Sequence, residues 1–403
     1  MAPAVRETQD QSSLGEAVLG RLLDQSHRLH PDGLVPMLVR ELAPLGMTDV
    51  VVYVVDFEQH LLVAVPGAGP PTEVPLDIDA TTAGRAFRTE QPIEEPTPGG
   101  GHGQGLRLWI PIVDGSERLG ILAATVATAD DVLRRRARHV AAVVASMLVS
   151  KQLYGDRIEL TRRLRPMHLA AELRWTMLPP LTYVDDRVSV SGILVPAYEV
   201  AGDSFDYAMN GDTAHLAIID AMGHGLEASR MANLALASYR SSWRQGLDLI
   251  ASYEALDRIV AAEFGPEKFV TGQLARLDVT TGALTWLNAG HPAPILLRGR
   301  TSTSDLKADV SLPMGLGDLP TTLAQAALSP GDCVLFFTDG VTEARSSAGE
   351  LFGRKRLAEL LVQVSADGET SAEMMRRLCH AVLAHQNETL QDDATLLAVC
   401  WPG

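Results

Sequence analysis

The sequence predicts an α+β protein made of two or three compact units, and three observations support this prediction. The chain has 403 residues, of which 46% are apolar and 5% aromatic, a composition ordinary for folded units that each bury a core. Strand patterns recur as hairpins, and helical patterns come in pairs. This grouping is typical of helices packed on antiparallel sheets rather than of a doubly wound parallel sheet.

The overall charge narrows the function classes. Against 34 basic residues there are 50 acidic ones, a net charge of −16, so the field of the protein repels nucleic acid and anionic membranes. Residues 1–14 lack the apolar core of a signal peptide, and the apolar run at 139–150 is too short to span a bilayer. We therefore expect a cytoplasmic protein with neither a nucleic-acid nor a membrane partner. The cysteines Cys333, Cys379 and Cys400 form no CxxC pair, which favours buried thiols in a reducing compartment.

The first part of the chain predicts two helices followed by a sheet. Residues 14–42 carry apolar side chains at helical spacing, interrupted near Pro31 and Gly33. The expected strands are residues 50–55, 61–65, 106–113 and 119–126, the last two joined by a turn at Asp114-Gly115. Residues 95–105, which include His102, are rich in Gly and Pro and indicate a loop.

The middle of the chain predicts a long helix from Ala129 to about Arg165, ended by Pro166. Leu153, Leu160, Leu164 and Met167 recur along it at seven-, four- and three-residue steps. Such a helix suits a seam between two copies of the chain, and packing along its own domain is the alternative. A shorter helix at 167–178 then ends at Pro179-Pro180.

From residue 187 onward the pattern alternates between long strands and paired helices. The expected strands are residues 188–195, 214–219, 269–279, 283–287, 295–297, 333–337 and 394–400. The expected helices are residues 226–243, 252–264, 355–364 and 372–385.

Acidic residues in this last region are placed at strand ends or in tight turns rather than on solvated helix faces. They occur in VAGDSFD (Asp203, Asp206), IIDAMGHG (Asp220), FFTDG (Asp339) and QDDATLL (Asp392, Asp393). Taken singly, each fits ordinary turn or capping chemistry. Taken together, several carboxylates delivered to one end of a sandwich would repel each other strongly unless cations lay between them.

The chemistry that such a cluster supports follows from its donor set. Carboxylates without companion His or Cys ligands favour Mg²⁺ or Mn²⁺ over Zn²⁺. Two such ions about 3.5–4 Å apart can hold a water, lower its pKa and direct it at phosphorus. The residues therefore predict phosphate-ester hydrolysis.

Seven motifs in order carry a family resemblance. VPAYEVAGDSFD, IIDAMGHGLEAS, LNAGHPAPILL, LPMGLG, LSPGDCVLFFTDGVTEAR, LFGRKRL and QDDATLLAV resemble the successive motifs of the bacterial stage II sporulation E and RsbU-type serine/threonine phosphatases. This group is a branch of the metal-dependent PPM superfamily. The resemblance covers residues 187–401, together with an approach segment, AAELRWTMLPP.

The resemblance implies an α-β-β-α sandwich with two Mn²⁺ or Mg²⁺ ions between its sheets and attack by a metal-bridged water. Asp203 and Asp220 would hold one ion with the backbone carbonyl of Ala221, and Asp220, Asp339 and Asp392 the other. The remaining acidic and turn positions of these motifs would act behind the ligands or through water, and they are Asp206, Asp393, Gly223 and His224. Asn288, Gly290 and His291 match an NAGH motif, for which we expect a structural role.

The chain departs from the family pattern at a few positions. Ala201 replaces the first Gly of Gly-Gly-Asp, Ser204 replaces a bulky residue, and Arg174 stands where the approach helix usually has Gln. Eukaryotic relatives carry a His two residues after the bridging Asp, where this chain has Met222. His224 is then a candidate acid, and the alternatives are that it only begins a helix and that a bound water protonates the leaving oxygen.

The first part of the chain resembles a GAF module through TTAGRAFRTEQPI and LWIPIVDGSERLGILAATV, with a PAS domain as the rival assignment. We expect a GAF-like sensor at residues 12–150, with a small molecule or protein as its unknown signal, a helical linker at 151–182 and the phosphatase domain at 183–403.

The resemblance implies a protein phosphatase under the control of this sensor. Its substrate would be a phosphorylated STAS-domain, anti-anti-sigma-type protein, so that it acts in sigma-factor regulation. The net charge demands a specific docking surface, because long-range attraction of an acidic substrate is unfavourable. The alternative is a catalytically silent scaffold that acts by binding a partner.

Overall fold

The computed structural model describes residues 3–67, 73–97, 105–198, 201–317, 321–387 and 392–403, without the side chains of residues 3–13 and Ala201. His102 of the predicted loop, and Glu199 and Val200 of the first acidic motif, lie outside the described residues. The chain divides into two compact units, Met1–Arg165 and Pro166–Gly403.

The first unit is a six-stranded antiparallel sheet with helices on both faces. Its described helices are α1 (Pro3–Ser26), α2 (Leu34–Leu42), α3 (Thr82–Thr89), α4 (Asp131–Lys151) and α5 (Arg157–Arg162). Its strands are β1 (Thr48–Val55), β2 (Leu61–Ala64), β3 (Leu76–Asp77), β4 (Ile93–Pro96), β5 (Leu106–Asp114) and β6 (Glu117–Val126). They lie in the order β3-β2-β1-β6-β5-β4, and the predicted hairpin turns at Gly115, whose φ is +62°.

Alternation along β1 separates the two faces of this sheet. Val52 packs in one core with α1, α2 and α4, whereas Tyr53 packs in a second core with Phe87 of α3. Successive side chains of a strand point to opposite faces, so both faces of β1 are buried by helices. This arrangement is consistent with the GAF-like domain predicted from the sequence.

The predicted continuous helix from Ala129 to Arg165 is wrong. Helix α4 ends at Lys151, and α5 begins only at Arg157. The chain turns at residues 152–154, where the Tyr154 amide donates to the Lys151 carbonyl at 3.0 Å, and the Asp156 carbonyl then accepts the Leu160 amide at 2.7 Å at the start of α5. The heptad-like leucine spacing therefore runs across a break. The apolar run at 139–150 lies inside α4, and no helix among the described residues has the length and apolar character needed to cross a bilayer.

The second unit contains two sheets and four principal helices among its described residues. Its helices are α6 (Leu169–Met177), α7 (Gly225–Arg244), α8 (Leu249–Phe264), the short α9 (Asp339–Glu343), α10 (Arg354–Ala366) and α11 (Ser371–His385). Its strands are β7 (Thr182–Val184), β8 (Ser189–Val195), β9 (Ala201–Asn210), β10 (Thr213–His224), β11 (Val270–Asp278), β12 (Ala283–Ala289), β13 (Ile295–Arg298), β14 (Ser302–Asp305), β15 (Val310–Ser311), β16 (Ala324–Ala327), β17 (Asp332–Phe337) and β18 (Ala394–Trp401).

These elements form an α-β-β-α sandwich. One sheet has the order β15-β12-β11-β10-β9, with β16 paired to β12, and the other has the order β14-β13-β17-β18-β8-β7. The inner faces pack together around Trp286, Phe205 and Phe336. Helices α7 and α8 cover the outer face of the first sheet, and α10 and α11 cover that of the second. The α+β class predicted from the sequence is confirmed.

The expectation of separate buried thiols is wrong for two of the three cysteines. Cys333 on β17 lies opposite Cys400 on β18, and the two form a disulfide with a Cα–Cα distance of 4.0 Å. Antiparallel pairing brings together residues that are 67 positions apart, which spacing along the sequence does not reveal. Cys379 is free and buried.

Candidate active site

Asp203 and Asp220 lie directly opposite each other on the paired strands β9 and β10. The sequence analysis placed both at strand ends or turns, but both lie within strands, because β9 begins at Ala201 and β10 continues to His224. The β9–β10 register shifts between Asp220 and His224. Two like charges directly across a ladder are unfavourable in themselves, so this pair is a feature that packing alone does not explain.

The opposing sheet reaches Asp203 through Thr338, which follows β17. The Thr338 hydroxyl donates to Asp203 Oδ2 at 2.5 Å and accepts the Thr395 amide at 3.0 Å. Thr338 is fully buried. This residue therefore fixes the orientation of Asp203 and joins the two sheets beside the acidic residues. The sequence analysis missed it, although its position next to Asp339 was a usable signal.

Two glycines allow the acidic segments to approach this closely. A Cβ on Gly202 would lie 2.0 Å from the Ala221 carbonyl oxygen, and a Cβ on Gly340 would lie 1.9 Å from the carbonyl oxygen of Asp393. No other residue fits at either place without moving the backbone. Gly340 thus brings the start of α9, with Asp339, against the segment that carries Asp392 and Asp393.

Burial and mutual repulsion raise the pKa values of Asp203, Asp220 and Asp339. Burial, reinforced by the charges of Asp339, Asp392 and Asp393, raises the pKa of Asp220 to about 7. Burial raises the pKa of Asp203, with Asp393 and Asp220 adding to the effect. The pKa of Asp339 is raised by burial and then by Glu343 and Asp392. The charges of Asp203, Asp220, Asp339, Asp392 and Asp393 therefore act on one another, and these five residues are called the acidic cluster below.

A buried arginine faces this cluster from α6. The Arg174 Nη1 donates to Asp393 Oδ2 at 2.9 Å, and its Nη2 donates to the Pro196 carbonyl. Arg174 is 1% exposed, and Asp393 Oδ2 also accepts the Asp203 amide at 3.4 Å. The residue at the family's usual Gln position is thus an ion-pair partner that holds Asp393 in place.

The cluster is rich in the donors that hard divalent cations prefer. Oxygen ligands and an excess of negative charge over the guanidinium of Arg174 fit Mg²⁺ or Mn²⁺. Within the described ranges, no three His, Cys, Asp or Glu side chains already surround a common point as ligands of an ion. The ligand set Asp203, Asp220, Ala221, Asp339 and Asp392 therefore stays a prediction.

Asp206 does not join the cluster. It stands three residues after Asp203 on β9, so the two side chains point to opposite faces of the sheet. Its carboxylate accepts Arg240 Nε at 2.5 Å and Arg240 Nη2 at 2.8 Å, and Arg240 also donates to the Met177 carbonyl at 2.6 Å. Through Arg240, Asp206 therefore connects α7 and the end of α6 to β9.

The segment after Asp220 is open to solvent. Ala221 is buried, whereas Met222, Gly223 and His224 are exposed, and His224 immediately precedes α7. Gly223 adopts a φ of +97°, which favours glycine. An exposed rim of this kind lets a substrate reach Asp220 from outside.

The NAGH segment has the structural role that was expected. Asn288 Oδ1 accepts the His291 amide, and Asn288 Nδ2 donates to the His291 carbonyl, both at 2.8 Å. The His291 ring lies 3.0 Å from the Thr271 hydroxyl, and burial lowers the pKa of His291 to about 3. Gly290 completes the turn with a φ of +69°. A neutral, buried imidazole of this kind supports the loop.

A family match identifies the α-β-β-α sandwich as a PPM-type phosphatase domain. Residues 210–402 match the family model for stage II sporulation protein E, SpoIIE. The second unit is accordingly a SpoIIE-type phosphatase domain, homologous to the RsbU and RsbP phosphatases.

The relatives match through this domain. The phosphoserine phosphatase RsbU of Bacillus subtilis is 25% identical over 58% of this chain and 69% of its own length. Protein IcfG of a Synechocystis species is 26% identical over 52% of this chain and 37% of its own length. A crystal structure of the RsbU and RsbW domains of a Mycobacterium tuberculosis protein is 24% identical, with a TM-score of 0.47, and covers 53% of this chain and 61% of that one. Part of each relative thus has no counterpart in the match.

Proposed function

We propose that this chain is a Mn²⁺- or Mg²⁺-dependent phosphatase that removes phosphate from a serine or threonine of a regulatory protein. The observation that carries the proposal is the cluster of mutually repelling carboxylates contributed by both sheets of the sandwich, which range from the buried Asp203 to the exposed Asp339 and Asp392. Asp203, Asp220, Asp339 and Asp392 would hold the ions, with the Ala221 carbonyl. When bound, such ions activate a water and offset the charge of the phosphate.

The residues around the cluster would hold its acidic groups in working positions. Thr338 orients Asp203 by donating its hydroxyl hydrogen, so the carboxylate keeps one oxygen free of that bond. Arg174 donates a hydrogen bond to Asp393, and this ion pair keeps the Asp393 carboxylate beside the Asp203 amide rather than on the substrate side. Preorganised groups of this kind reduce the rearrangement needed during the reaction.

A protein substrate suits the rim of this site better than a small phosphate ester does. Met222 and Leu226, on the two sides of the exposed turn after Asp220, are 42% and 43% exposed. Apolar side chains that remain exposed beside a reactive centre suit contact with another protein. For a chain of net charge −16, such apolar contacts also provide docking that salt does not weaken.

The partner we propose is a phosphorylated STAS-domain protein of the anti-anti-sigma type, so that dephosphorylation would act on a sigma factor. The proposal rests on similarity to RsbU and RsbP, which are named as phosphoserine phosphatases. We further propose that the GAF-like unit, residues 12–150, senses a signal, and that the segment 151–182 transmits it to the domain at 183–403. Arg174 on α6 is the contact through which that segment reaches the acidic cluster.

The activity test compares two site variants with a matched control. Asp220→Asn and Asp339→Asn should keep the fold, by circular dichroism, and lose hydrolysis of p-nitrophenyl phosphate in Mn²⁺. Asp309→Asn changes an exposed carboxylate elsewhere in the domain and should keep full activity. Full activity of either site variant would overturn the assignment, and a purified wild-type protein without activity would favour the silent scaffold.

The substrate test uses phosphorylated proteins directly. Purified chain is incubated with a phosphorylated STAS-domain protein, with Mn²⁺ or with EDTA, and released phosphate is measured. We expect release only with Mn²⁺, at a rate that changes little between 50 and 300 mM salt. Hydrolysis of p-nitrophenyl phosphate without any release from STAS proteins would leave the phosphatase proposal standing and refute the proposed partner.

A further inference from the structure

A cavity with several polar side chains in its wall lies in the phosphatase domain, away from the acidic cluster. It has a volume of about 440 Å³ and opens where β10 begins. His215, which borders it, is five residues before Asp220 on the same strand, or roughly 16 Å along the strand. The side chains that matter here are Asn210, Thr213, His215, Trp243, Arg244 and Arg276. The described residues that line this cavity include two arginines and no acidic residue.

Part of the hydrogen-bonding capacity of these groups is unused. Arg276 donates to the Leu247 carbonyl, but its Nε is buried without a partner, and so is Nδ1 of His215, which is 7% exposed. Within the part of the chain that the structure describes, neither Arg276 nor Arg244 forms a salt bridge. Arg276 is half-buried and Arg244 is exposed, so an anion from solution can reach and pair with both guanidinium groups.

This absence of partners is unusual for the protein as a whole. The chain carries 16 more acidic than basic residues, and most of its other buried or half-buried arginines face a carboxylate, as Arg174 and Arg240 do. Acidic side chains are therefore abundant, yet none is among the described residues that line this cavity, and Asp206, with whose charge Arg244 interacts, is already paired with Arg240. We therefore expect the anion that pairs with Arg244 and Arg276 to belong to a bound molecule rather than to the protein.

One wall of the cavity is aromatic. The Trp243 ring lies 5.4 Å from the His215 ring and 4.7 Å from the Tyr239 ring, measured between centroids. These contacts hold the indole in a fixed orientation. Burial, followed by the charge of Arg276, lowers the pKa of His215 to about 4, so at neutral pH the imidazole offers one donor and one acceptor without competing for the anion.

We propose that this cavity binds a small molecule that carries an oxyanion group next to a ring or other apolar part. The two guanidinium groups would take the oxyanion, for which their planar donor pairs are suited. Trp243 would contact the apolar part. A volume of about 440 Å³ lies within the range of ordinary small-molecule sites. The site would be distinct from the catalytic centre, because none of its residues belongs to the acidic cluster.

The test uses phenylphosphonate, which has an oxyanion and a ring but no ester bond to hydrolyse. Titration calorimetry in EDTA removes any contribution from metal at the acidic cluster. We expect phenylphosphonate to bind with a Kd below about 1 mM, inorganic phosphate to bind more weakly because it lacks the ring, and benzyl alcohol not to bind. Failure of wild-type protein to bind phenylphosphonate at 10 mM would overturn the proposal.

Matched variants locate the binding. Arg244→Ala and Arg276→Gln should each weaken phenylphosphonate binding at least tenfold. Arg258→Ala, an exposed arginine on the neighbouring α8, should bind as wild type does. Because Arg276→Gln removes a contact to Leu247, the exposed Arg244 provides the variant that keeps the fold. Unchanged binding in Arg244→Ala would refute the site. Asp220→Asn should bind phenylphosphonate normally, which separates this outcome from any failure of the proposed phosphatase activity.

Discussion

The buried pair between Arg174 and Asp393 permits a quantitative prediction. Both side chains are 2% exposed, and their charged atoms are 2.9 Å apart. Arg174→Met keeps much of the side-chain volume but removes the positive charge that pairs directly with Asp393. The carboxylate would then remain buried next to Asp203, with whose charge it interacts.

The expected cost follows from how buried ion pairs behave. Removing one partner of a buried pair typically costs about 3–5 kcal/mol, because the other charge is left uncompensated. We expect a loss within that range, since Arg174 and Asp393 are both buried and pair directly. The double variant Arg174→Met/Asp393→Asn removes both charges and should recover about 2 kcal/mol or more of the loss.

The assay is urea unfolding in EDTA, followed by tryptophan fluorescence. Of five tryptophans, four lie in the second unit, namely Trp175, Trp243, Trp286 and Trp401. Their signal therefore reports mainly on the domain that carries the ion pair. Arg298→Met, which removes the partner of Asp332 from a half-exposed side chain, is the matched control and should cost much less.

Two results would refute this reasoning. The first is an Arg174→Met variant within about 1 kcal/mol of wild type, which would mean that Asp393 is not held by this charge. The second is a double variant no more stable than Arg174→Met. In that case the loss would come from altered packing of α6 rather than from an uncompensated carboxylate.

Three further predictions concern other contacts. Thr338→Val keeps the side-chain shape but leaves Asp203 without its donor, so the metal-free second unit should lose about 2–3 kcal/mol of unfolding free energy, and an unchanged urea midpoint would contradict this. Hydrogen bonds led by Arg21 lower the pKa of Glu41 to about 2, so the ionised carboxylate should stabilise the first unit fully above about pH 4.5, and this stabilisation should be lost between pH 4.5 and 2. Glu41→Gln should cost about 1 kcal/mol of unfolding free energy at pH 7. The same variant should abolish the pH dependence in thermal melts. If the exposed His224 donates the proton to the leaving oxygen, His224→Gln should lower kcat at least 100-fold, and an unchanged kcat would assign that role to a bound water.

The spacing of apolar residues predicted most of the long helices and strands, because each of these elements buries one apolar face against the core. Helices α7, α8, α10 and α11 lie within a few residues of the expected ranges, and their buried stripes face the sheets. Strand β9 was missed, because AGDSFDYAMN is rich in acidic and small residues that propensity assigns to turns. Its pairing with β10 and the acidic cluster decide that it is a strand.

The sequence predicted which acidic residues form the acidic cluster, but not which other residues hold them in place. Motif order pointed to Asp203, Asp220, Asp339 and Asp392, since these types share one chemistry. No local pattern shows that Thr338 bonds to Asp203 across 135 residues. The distance between Cys333 and Cys400 along the sequence likewise concealed their disulfide. The alternation of side chains along a strand places Asp206 and Asp203 on opposite faces of the sheet, but it applies only once β9 is recognised as a strand.

Calorimetric titration of Mn²⁺ into the purified protein tests most directly whether aspartates from both sheets form one cation centre. Wild type and Asp309→Asn should show saturable binding with a Kd in the micromolar range, and Asp220→Asn should lose it, because that side chain lies opposite Asp203 and interacts with Asp339 and Asp392. Wild-type protein without such binding, or Asp220→Asn with the same affinity as wild type, would contradict the account.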